Sequence, residues 1–264
     1  MSPTPASPPE SAARDGKRNV YFFATCVIDM FAPEAGFDAI DVLERSGVDV
    51  HFPVRQTCCG QPAYTTGFPE EAAKVAAAQL DLFPEPWPIV VPSGSCGGML
   101  KHHWPKLFAN DPVKLAKAEA ISVRTIEFTD YLLNVADLKL DRASRRPLRV
   151  ALHTACSARR EMGTLECGRE LLSRLPGVEL VEHAHESECC GFGGTFSVKH
   201  PEISAAMTSD KLDAIRATDC DAMVSADCGC LLSLNLMLKK RRDLMRGQHI
   251  ASLIRERLDG GEAR

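Results

Sequence analysis

Cysteine is the residue type whose number and spacing are most informative in this sequence. The chain has 264 residues and 11 cysteines, a content too low for a disulfide scaffold of this length, and the count is odd. Eight of the cysteines occur in one pattern that appears twice: Cys26, Cys58, Cys59 and Cys96, then Cys156, Cys189, Cys190 and Cys230. Thiols in such a pattern indicate metal binding or redox chemistry.

The cysteine pattern belongs to a longer internal repeat. The matching segments are Val20–Cys26 with Val150–Cys156, Cys58–Gly60 with Cys189–Gly191, and Pro88–Cys96 with Ala222–Cys230. The offset between matching residues is 130 at the first pair, 131 at the second and 134 at the third, a drift that insertions in loops explain. The sequence therefore predicts two homologous halves.

Short apolar runs alternate with amphipathic segments in each half, which predicts alternating strands and helices. The predicted strands are Val20–Phe23, Val48–Phe52 and Ile89–Val91 in the first half, and Leu148–Leu152, Val178–Val181 and Ala222–Ser225 in the second. The predicted helices are Phe37–Arg45 and Glu70–Leu82, then Leu165–Leu175 and Pro201–Ala217. This order predicts an α/β fold of two Rossmann-like βαβ halves, each with a parallel sheet.

Three segments are predicted along the chain. Residues 1–18 are rich in proline and contain no apolar run, so we expect a disordered tail there. The first cysteine-rich repeat is predicted at residues 19–138 and the second at residues 148–258, with the polar stretch Lys139–Pro147 between them.

The composition argues against several classes of function. The net charge is −4, so the chain has no basic surplus that would favour nucleic acid or an anionic membrane. The sequence has no run of 18 apolar residues, which would predict a transmembrane segment, and no apolar core of a secretory signal. We therefore expect a cytoplasmic protein, in which clustered cysteines bind metal or do redox chemistry rather than form disulfides.

All eight repeated cysteines follow predicted strands, at the carboxyl end of each. Groups at the carboxyl ends of parallel strands converge on one crevice, so each half is expected to bring four thiols together. Gly60 and Gly191 follow the adjacent cysteines and allow a turn with positive φ or a close backbone approach. Thiolates suit iron–sulfur clusters, Zn²⁺ or Cu(I), and adjacent cysteines without clean C-x₂₋₄-C pairs favour iron–sulfur over structural zinc.

Other candidate residues are interpreted mainly as structural. Cys167, in a predicted helix, and Cys220, before a predicted strand, are expected to be buried thiols without a role in the site. Cys228 is an additional candidate for the site. His153, three residues before Cys156, is interpreted as a hydrogen-bonding neighbour of the thiols rather than as a ligand.

The pattern resembles the duplicated cysteine-rich "CCG" domain of iron–sulfur oxidoreductase subunits. The first cysteine and the adjacent pair are separated by 31 residues in the first half and by 32 in the second. Further motifs that carry the resemblance are Cys189–Glu202, Pro92–Cys96 and the ending His249-Ile-Ala. The family includes the cysteine-rich subunit of heterodisulfide reductase and the iron–sulfur subunits of glycolate and glycerol-3-phosphate oxidation. The chain most resembles its lactate-utilization protein A branch, over about residues 19–258.

The chain departs from the family pattern at one position in each half. Where the family has the first cysteine of a C-x-x-C pair, this sequence has Ser93 and Asp227. The resemblance implies that the eight repeated cysteines hold iron–sulfur clusters, either conventional [4Fe–4S] clusters or the non-cubane variant known in subunits with the full cysteine set. Ser93, Asp227 and Cys228 are the further candidates for completing the ligand sets.

The resemblance implies an iron–sulfur subunit of an oxidoreductase complex that transfers electrons during oxidation of L-lactate to pyruvate. Two alternatives stay open: the same role in glycolate or glycerol-3-phosphate oxidation, and a structural zinc-binding protein. The sequence has no dinucleotide fingerprint and no ferredoxin-type C-x₂-C-x₂-C-x₃-C-P run. The resemblance implies that partner subunits, such as a ferredoxin-containing lactate-utilization protein, supply those groups.

Overall fold

The computed structural model describes residues 18–136, 138–140 and 146–259. Residues 1–17 of the predicted tail, and residues 141–145 of the predicted stretch between the repeats, lie outside this described part. Arg18, the last residue of the predicted tail, belongs to the first strand.

The first half contains a four-stranded parallel sheet. Its strands are β1 (Arg18–Phe22), β2 (Val48–His51), β3 (Ile89–Val91) and β4 (Thr125–Glu127). Its helices are α1 (Cys26–Phe31), α2 (Pro33–Arg45), α3 (Gln61–Thr65), α4 (Pro69–Ala77), α5 (Gly94–Gly98), α6 (Trp104–Leu107), α7 (Pro112–Ser122) and α8 (Phe128–Asn134), with a π-helical turn at Met99–His103 between α5 and α6. The strand order is β2-β1-β3-β4.

The second half repeats this architecture. Its strands are β5 (Leu148–Leu152), β6 (Val178–Val181), β7 (Ala222–Ser225) and β8 (Arg246–His249). Its helices are α9 (Leu165–Arg174), α10 (Phe196–Lys199), α11 (Pro201–Arg216), α12 (Cys228–Arg241) and α13 (Ile250–Asp259), with a π-helical turn at Ala158–Met162. The strand order β6-β5-β7-β8 is the order of the first sheet, and all pairs are parallel. The predicted α/β fold of two similar halves is therefore confirmed.

Local sequence explains where the main helices begin and which face they bury. Proline is the first residue of α2, α4 and α11, a position where its missing N–H leaves no helical hydrogen bond unmade. Helix α2 then buries Ala35, Ala39, Val42 and Leu43, which recur every three or four residues and so lie on one face. Helix α2 begins four residues before the predicted start at Phe37, and α4 ends five residues before the predicted end at Leu82.

The sequence prediction misses β4 and β8, the last strand of each sheet. Strand β4 has three residues, and β8 reads Arg-Gly-Gln-His, so neither shows the apolar alternation that marks a strand. Each is formed by pairing with a fully buried neighbour, β4 with β3 and β8 with β7. Pairing with a neighbouring strand, rather than local composition, therefore determines that these two segments form strands.

The strand order determines where the site can form. In the first sheet the winding direction reverses between β1 and β3, and in the second between β5 and β7. Open α/β sheets bind their ligands at such a reversal, outside the carboxyl ends of the strands. The first helix after β1 begins at Cys26, and the helix after β3 contains Cys96. The fold thus directs thiols into the crevice.

The two halves share one hydrophobic core through reciprocal helix contacts. Helix α13 packs against α2, and α8 packs against α9. In the repeat α13 corresponds to α8 and α9 to α2, so the closing helix of each half packs against the other half. Val20 and Phe22 of the first half lie in the same core cluster as Val150 and Ile254 of the second. Packing across the repeat boundary therefore holds the halves together.

Candidate metal centre

The repeated cysteines of both halves line one cavity. This cavity has a volume of about 290 Å³ and lies where the carboxyl ends of the two sheets meet. All eight repeated cysteines contribute to its wall, together with Cys228. The sequence predicts one group of four thiols in each half, and the structure places the two groups in a shared space.

Corresponding elements carry the thiols in the two halves. In the first half, Cys26 begins α1, Cys58 and Cys59 lie between β2 and α3, and Cys96 is the third residue of α5. The equivalent positions in the second half, after β5, after β6 and in the first turn of α12, hold Cys156, Cys189, Cys190 and Cys230. Three separate strand ends therefore contribute to each group.

Within each half the thiols form a row of neighbouring side chains. Three links, in which neighbouring thiols change each other's pKa, join Cys26 with Cys58, Cys58 with Cys59, and Cys59 with Cys96. The same three links join Cys156 with Cys189, Cys189 with Cys190, and Cys190 with Cys230. The duplication has kept the spatial arrangement of the thiols as well as their spacing in the sequence.

The glycine after each cysteine pair has the backbone conformation that the sequence predicts. Gly60 has a φ of +88° and Gly191 a φ of +86°. Each glycine N–H donates to the Sγ of the first cysteine of its pair, with N to Sγ distances of 3.4 Å in both halves. A Cβ on Gly191 would lie 2.5 Å from the carbonyl oxygen of Ser204. Glycine is therefore needed both for its φ and for the close backbone approach.

Crowding and burial make it costly for these thiols to ionise together. The hydrogen bond with Cys58 and burial raise the pKa of Cys26, whereas the same contact lowers the pKa of Cys58 to about 3. In the second half, the hydrogen bond with Cys189 and burial raise the pKa of Cys156. A bound metal offsets this cost, because a thiol that coordinates it loses its proton and the charge of the metal balances the charge of the thiolate. The donor set therefore fits a centre that prefers sulfur ligands.

His153 lies beside the thiols of the second half and is almost fully buried, with 1% of its surface exposed. One of its ring nitrogens and the Sγ atoms of Cys190 and Cys230 lie within 4.8 Å of one another. Neither ring nitrogen has a hydrogen-bond partner among the described residues. Burial, and secondarily the charge of Lys211, lowers the pKa of His153 to about 3, so the ring is neutral. The repeat places Phe23 at the equivalent position, so only the second half has this nitrogen donor.

The three further candidates also reach the cavity. Ser93 and Asp227 line it, and each has 4% of its surface exposed. They contact each other across the two halves, with 3.0 Å between the Ser93 Oγ and an Asp227 carboxylate oxygen. Cys228 is buried, and burial together with the nearby Asp227 and Cys96 raises its pKa to about 12.

Cys167 and Cys220 lie away from the cavity. Cys167 is half-buried in α9, and its Sγ lies 4.0 Å from an Asp130 carboxylate oxygen. Cys220 is buried, and its Sγ lies 3.5 Å from the sulfur of Met245. Cys220 is thus buried as the sequence predicts, whereas Cys167 is only half-buried.

Thr25 is a residue of the cavity wall that sequence reasoning misses. It directly precedes Cys26 and has a φ of +62°, a conformation that is rare for a β-branched residue. Its Oγ1 accepts a hydrogen bond from the Ile28 N–H at 3.3 Å, which caps α1. Backbone strain of this kind persists where the surrounding structure holds it, often at functional sites. The sequence does not reveal this conformation, because a threonine directly before a helix is common as an ordinary helix cap.

Comparison with known proteins identifies the family. Residues 20–101 and 150–235 match the CCG family, described as "Cysteine-rich domain". The chain belongs to this CCG cysteine-rich domain family. Its two CCG repeats contain all eight of the cysteines that form the two rows in the cavity.

Several curated relatives that are similar to this chain are named Lactate utilization protein A. The chain is 39% identical to the one from Shouchella clausii over 236 residues, which cover 89% of this chain and 98% of that protein. It is 38% identical to the one from a Geobacillus species over 238 residues, covering 90% of this chain and 99% of that protein. It is 36% identical to the one from Bacillus subtilis over 238 residues, again covering 90% and 99%.

A solved structure shares the fold. The crystal structure of a hypothetical protein from Helicobacter pylori matches 97% of this chain with a TM-score of 0.68 and 10% sequence identity. The chain spans 51% of the length of that structure. At this identity the similarity concerns the α/β fold alone.

Within the described residues, no helix combines the length and the apolar character needed to cross a lipid bilayer.

Proposed function

We propose that this chain is an iron–sulfur subunit that transfers electrons during oxidation of L-lactate to pyruvate. The observation that carries the proposal is the gathering of eight thiols, four from each half, on the wall of one cavity. We assign as ligands Cys26, Cys58, Cys59 and Cys96 in the first half, and Cys156, Cys189, Cys190 and Cys230 in the second. Bound iron–sulfur clusters, of the [4Fe–4S] or the non-cubane type, would supply sites for electron transfer.

The adjacent cysteines support iron–sulfur chemistry over a mononuclear site. Cys58 and Cys59, like Cys189 and Cys190, present neighbouring sulfurs from consecutive residues. A cluster with several iron atoms can take such neighbours as ligands to different metal atoms. The surrounding backbone supports this interpretation. The glycine after each pair makes a sharp turn, and its N–H donates a hydrogen bond to the sulfur of the first cysteine.

The substrate is proposed from the relatives. Two relatives that match this chain over 98% and 99% of their own length carry the name Lactate utilization protein A. Oxidation of L-lactate to pyruvate releases two electrons and two protons; a flavin or a nicotinamide accepts the electron pair as a hydride, and the remaining proton passes to a base or to solvent. Glycolate and glycerol 3-phosphate are the alternative substrates, because the wider family resemblance includes subunits for both.

The proposal requires partner subunits. The sequence contains neither a dinucleotide fingerprint nor a ferredoxin-type cysteine run, so a partner must accept the electron pair and another group must carry single electrons onward. We propose ferredoxin-containing and other lactate-utilization subunits for these roles. We place the complex in the reducing cytoplasm, where thiols stay available to metal.

One observation favours a second candidate, a zinc site in the second half. His153, Cys190 and Cys230 bring one nitrogen and two sulfurs within 4.8 Å of one another, close enough for ligands of a single ion. This arrangement has no equivalent in the first half, where Phe23 replaces the histidine. A structural zinc protein of this kind would bind zinc and no iron.

Growth of a deletion strain tests the proposed substrate. Cells that lack the gene should fail to grow on L-lactate and should grow normally on glycolate and on glycerol 3-phosphate. The wild-type gene and the Cys167→Ala variant should restore growth, whereas Cys189→Ser should not. If the deletion strain instead fails to grow only on glycolate, or only on glycerol 3-phosphate, that compound would replace L-lactate as the assigned substrate.

An assay of the purified chain tests the need for partners. The cluster-loaded chain is incubated with L-lactate and an artificial electron acceptor, alone and with the other lactate-utilization subunits. We expect turnover only in the presence of the partners. Robust turnover by the chain alone would contradict this division and would make its own centre catalytic.

A further inference from the structure

A single carboxylate joins the two halves at the cavity wall. Ser93 follows β3 of the first half, and Asp227 follows β7 of the second, so they occupy equivalent positions of the repeat. The Ser93 hydroxyl donates to the Asp227 Oδ2 at 3.0 Å, and both side chains are 4% exposed. A buried hydrogen bond to a carboxylate is stronger than a neutral one and costly to break.

The same carboxylate caps helices from both halves. Its Oδ1 accepts from the backbone N–H of Gly229 at 3.0 Å, in the first turn of α12. Its Oδ2 accepts from the backbone N–H of Ser95 at 3.2 Å, in the first turn of α5. One side chain thereby connects the starts of two helices that belong to different sheets.

Both capped helices carry a thiol of the cavity at the same position. Cys96 is the third residue of α5, and Cys230 is the third residue of α12. Each is 7% exposed and lies within one turn of the capping contact. The distance between these two thiols therefore depends on the carboxylate between their helices.

The hydrogen bonds also bear on whether Asp227 is a ligand. Its two oxygens already accept from Ser93, Ser95 and Gly229, so coordination to a metal would have to replace at least one of these bonds. Its negative charge acts on the second-half thiols, since it contributes to the raised pKa of Cys156 and Cys228. A fixed negative charge makes the addition of an electron nearby less favourable.

We propose that Ser93 and Asp227 form a clasp that fixes the spacing of Cys96 and Cys230 across the two halves. The charge of the clasp lowers the reduction potential of the centre held by the second-half thiols, and this part rests on the proposed function. Asp227 is thus a positioning residue rather than a ligand.

The variants Asp227→Asn and Ser93→Ala test the clasp, with Asp221→Asn as the matched control. Asp221 directly precedes β7 and Asp227 follows it, so the control removes a carboxylate from the opposite end of the same strand. Ser93→Ala removes the hydrogen bond to Asp227 and keeps the charge, which separates spacing from electrostatics. It also removes the cap that the Ser93 Oγ gives to the Cys96 N–H at 3.5 Å, so in this variant the rate at Cys230 reports the loss of the clasp itself. It also remains informative if Asp227→Asn does not fold.

The first measurement uses metal-free protein and does not depend on any cofactor. Alkylation of each cysteine is followed by mass spectrometry, with the remote, buried Cys220 as internal reference. Cys96 and Cys230 should react several-fold faster in Asp227→Asn and in Ser93→Ala than in the wild type and in Asp221→Asn. Equal rates in all four proteins would overturn the clasp.

The second measurement is a redox titration of iron–sulfur-loaded protein, in a Cys58→Ser background that leaves only the second-half centre. Asp227→Asn should shift the midpoint potential to a more positive value, and Asp221→Asn should not. Equal potentials would overturn the role of the charge. A wild-type chain that takes up no iron would refute the proposed function and the charge effect with it, while the alkylation rates would still decide the clasp.

Discussion

Each adjacent cysteine pair combines a half-buried thiol with one that is almost fully buried. Cys58 and Cys189 are partly exposed, whereas Cys59 and Cys190 are 1% and 2% exposed. The partly exposed members also accept a hydrogen bond from the following glycine. They are therefore the positions where a serine removes a metal ligand with the least disturbance of the core.

The variants Cys58→Ser and Cys189→Ser test whether each half holds its own centre. The thiols form one row of interacting side chains per half, so each single variant should lose roughly half of the bound iron, and the double variant should lose all of it. Iron analysis after anaerobic reconstitution measures this. Complete loss of iron in a folded single variant would mean that both rows share one cluster.

The Cys167→Ala variant is the matched control for these changes. Cys167 is a half-buried cysteine of α9 that lies away from the cavity. We expect full iron content, an unchanged visible spectrum, and a loss of about 1 kcal/mol in unfolding free energy. Loss of the visible absorption band in this variant would show that the ligand assignment is wrong.

At the residue scale, the sequence predicts which thiols the structure brings together, and it predicts little about the residues around them. Repetition marks the eight cysteines, because a duplicated pattern at strand ends is visible without a structure. The depth of His153 and the strained φ of Thr25 depend on tertiary packing, which leaves no local pattern. The contact between Ser93 and Asp227 joins residues 134 positions apart and is equally invisible.

The closing helix of each half begins at a buried side chain that ends a short strand. Glu127 ends β4 and accepts from the backbone N–H groups of Thr129 at 2.9 Å and Asp130 at 3.4 Å, which caps α8. His249 ends β8, and its Nδ1 accepts from the N–H of Ala251 at 3.2 Å, at the start of α13. The two halves thus cap equivalent helices with an acid in one case and an imidazole in the other.

Glu127 makes the stability of the protein depend on pH. Its side chain is 1% exposed, and burial raises its pKa from 4.5 to about 7. Between these values the folded protein holds a proton that the unfolded chain releases, so unfolding free energy falls as pH rises from about 4.5 to about 7. A pKa difference of this size corresponds to roughly 3 kcal/mol.

The variant Glu127→Gln removes this titration. At each pH the unfolding free energy of the variant is compared with that of the wild type by denaturant titration. The difference, variant minus wild type, should rise by roughly 3 kcal/mol between about pH 4 and about pH 8. Glu119→Gln, which changes an exposed carboxyl group of α7, should stay parallel to the wild type. A constant difference between Glu127→Gln and the wild type would show that Glu127 does not titrate in this range.

At the element scale, the sequence predicts the strands that are rich in apolar residues, and their bounds agree with the structure at Ile89–Val91 and Leu148–Leu152. It misses β4 and β8, because these strands take their conformation from a neighbouring strand and contain few apolar residues. Their caps, Glu127 and His249, are missed for the same reason.

We expect the two halves to unfold as one cooperative unit, because the closing helix of each half packs against the other half. Helix α13 of the second half lies on α2 of the first, where Arg255 and Asp38 form an ion pair at 3.0 Å. Ile254 of α13 is fully buried in the shared core. Loss of packing in α13 should therefore weaken the first half as well.

Tryptophan fluorescence tests this coupling, because Trp87 and Trp104 both lie in the first half. Ile254→Ala should destabilise the protein by about 2–5 kcal/mol and lower the denaturant midpoint seen by tryptophan fluorescence and by circular dichroism alike. Leu244→Ala, at a side chain that is 99% exposed, should leave both midpoints in place. A fluorescence midpoint that does not move in Ile254→Ala would mean that the halves unfold independently.

At the scale of the molecule, repetition predicts that two similar halves exist and says nothing of how they face each other. The common cavity depends on small residues where the halves meet: a Cβ on Gly94 would lie 2.5 Å from the Cβ of Ala158. Glycine at such a position is compatible with many structures, so the sequence alone does not reveal the shared site.

The central claim is that the eight thiols of this cavity hold iron and sulfide. The most direct measurement is the content of iron, acid-labile sulfide and zinc in chain purified without oxygen, together with its Cys58→Ser/Cys189→Ser variant. We expect iron and sulfide in about equal amounts in the wild type, little zinc, and the loss of both iron and sulfide in the double variant. Stoichiometric zinc with no iron would contradict the claim and would favour a structural metal site.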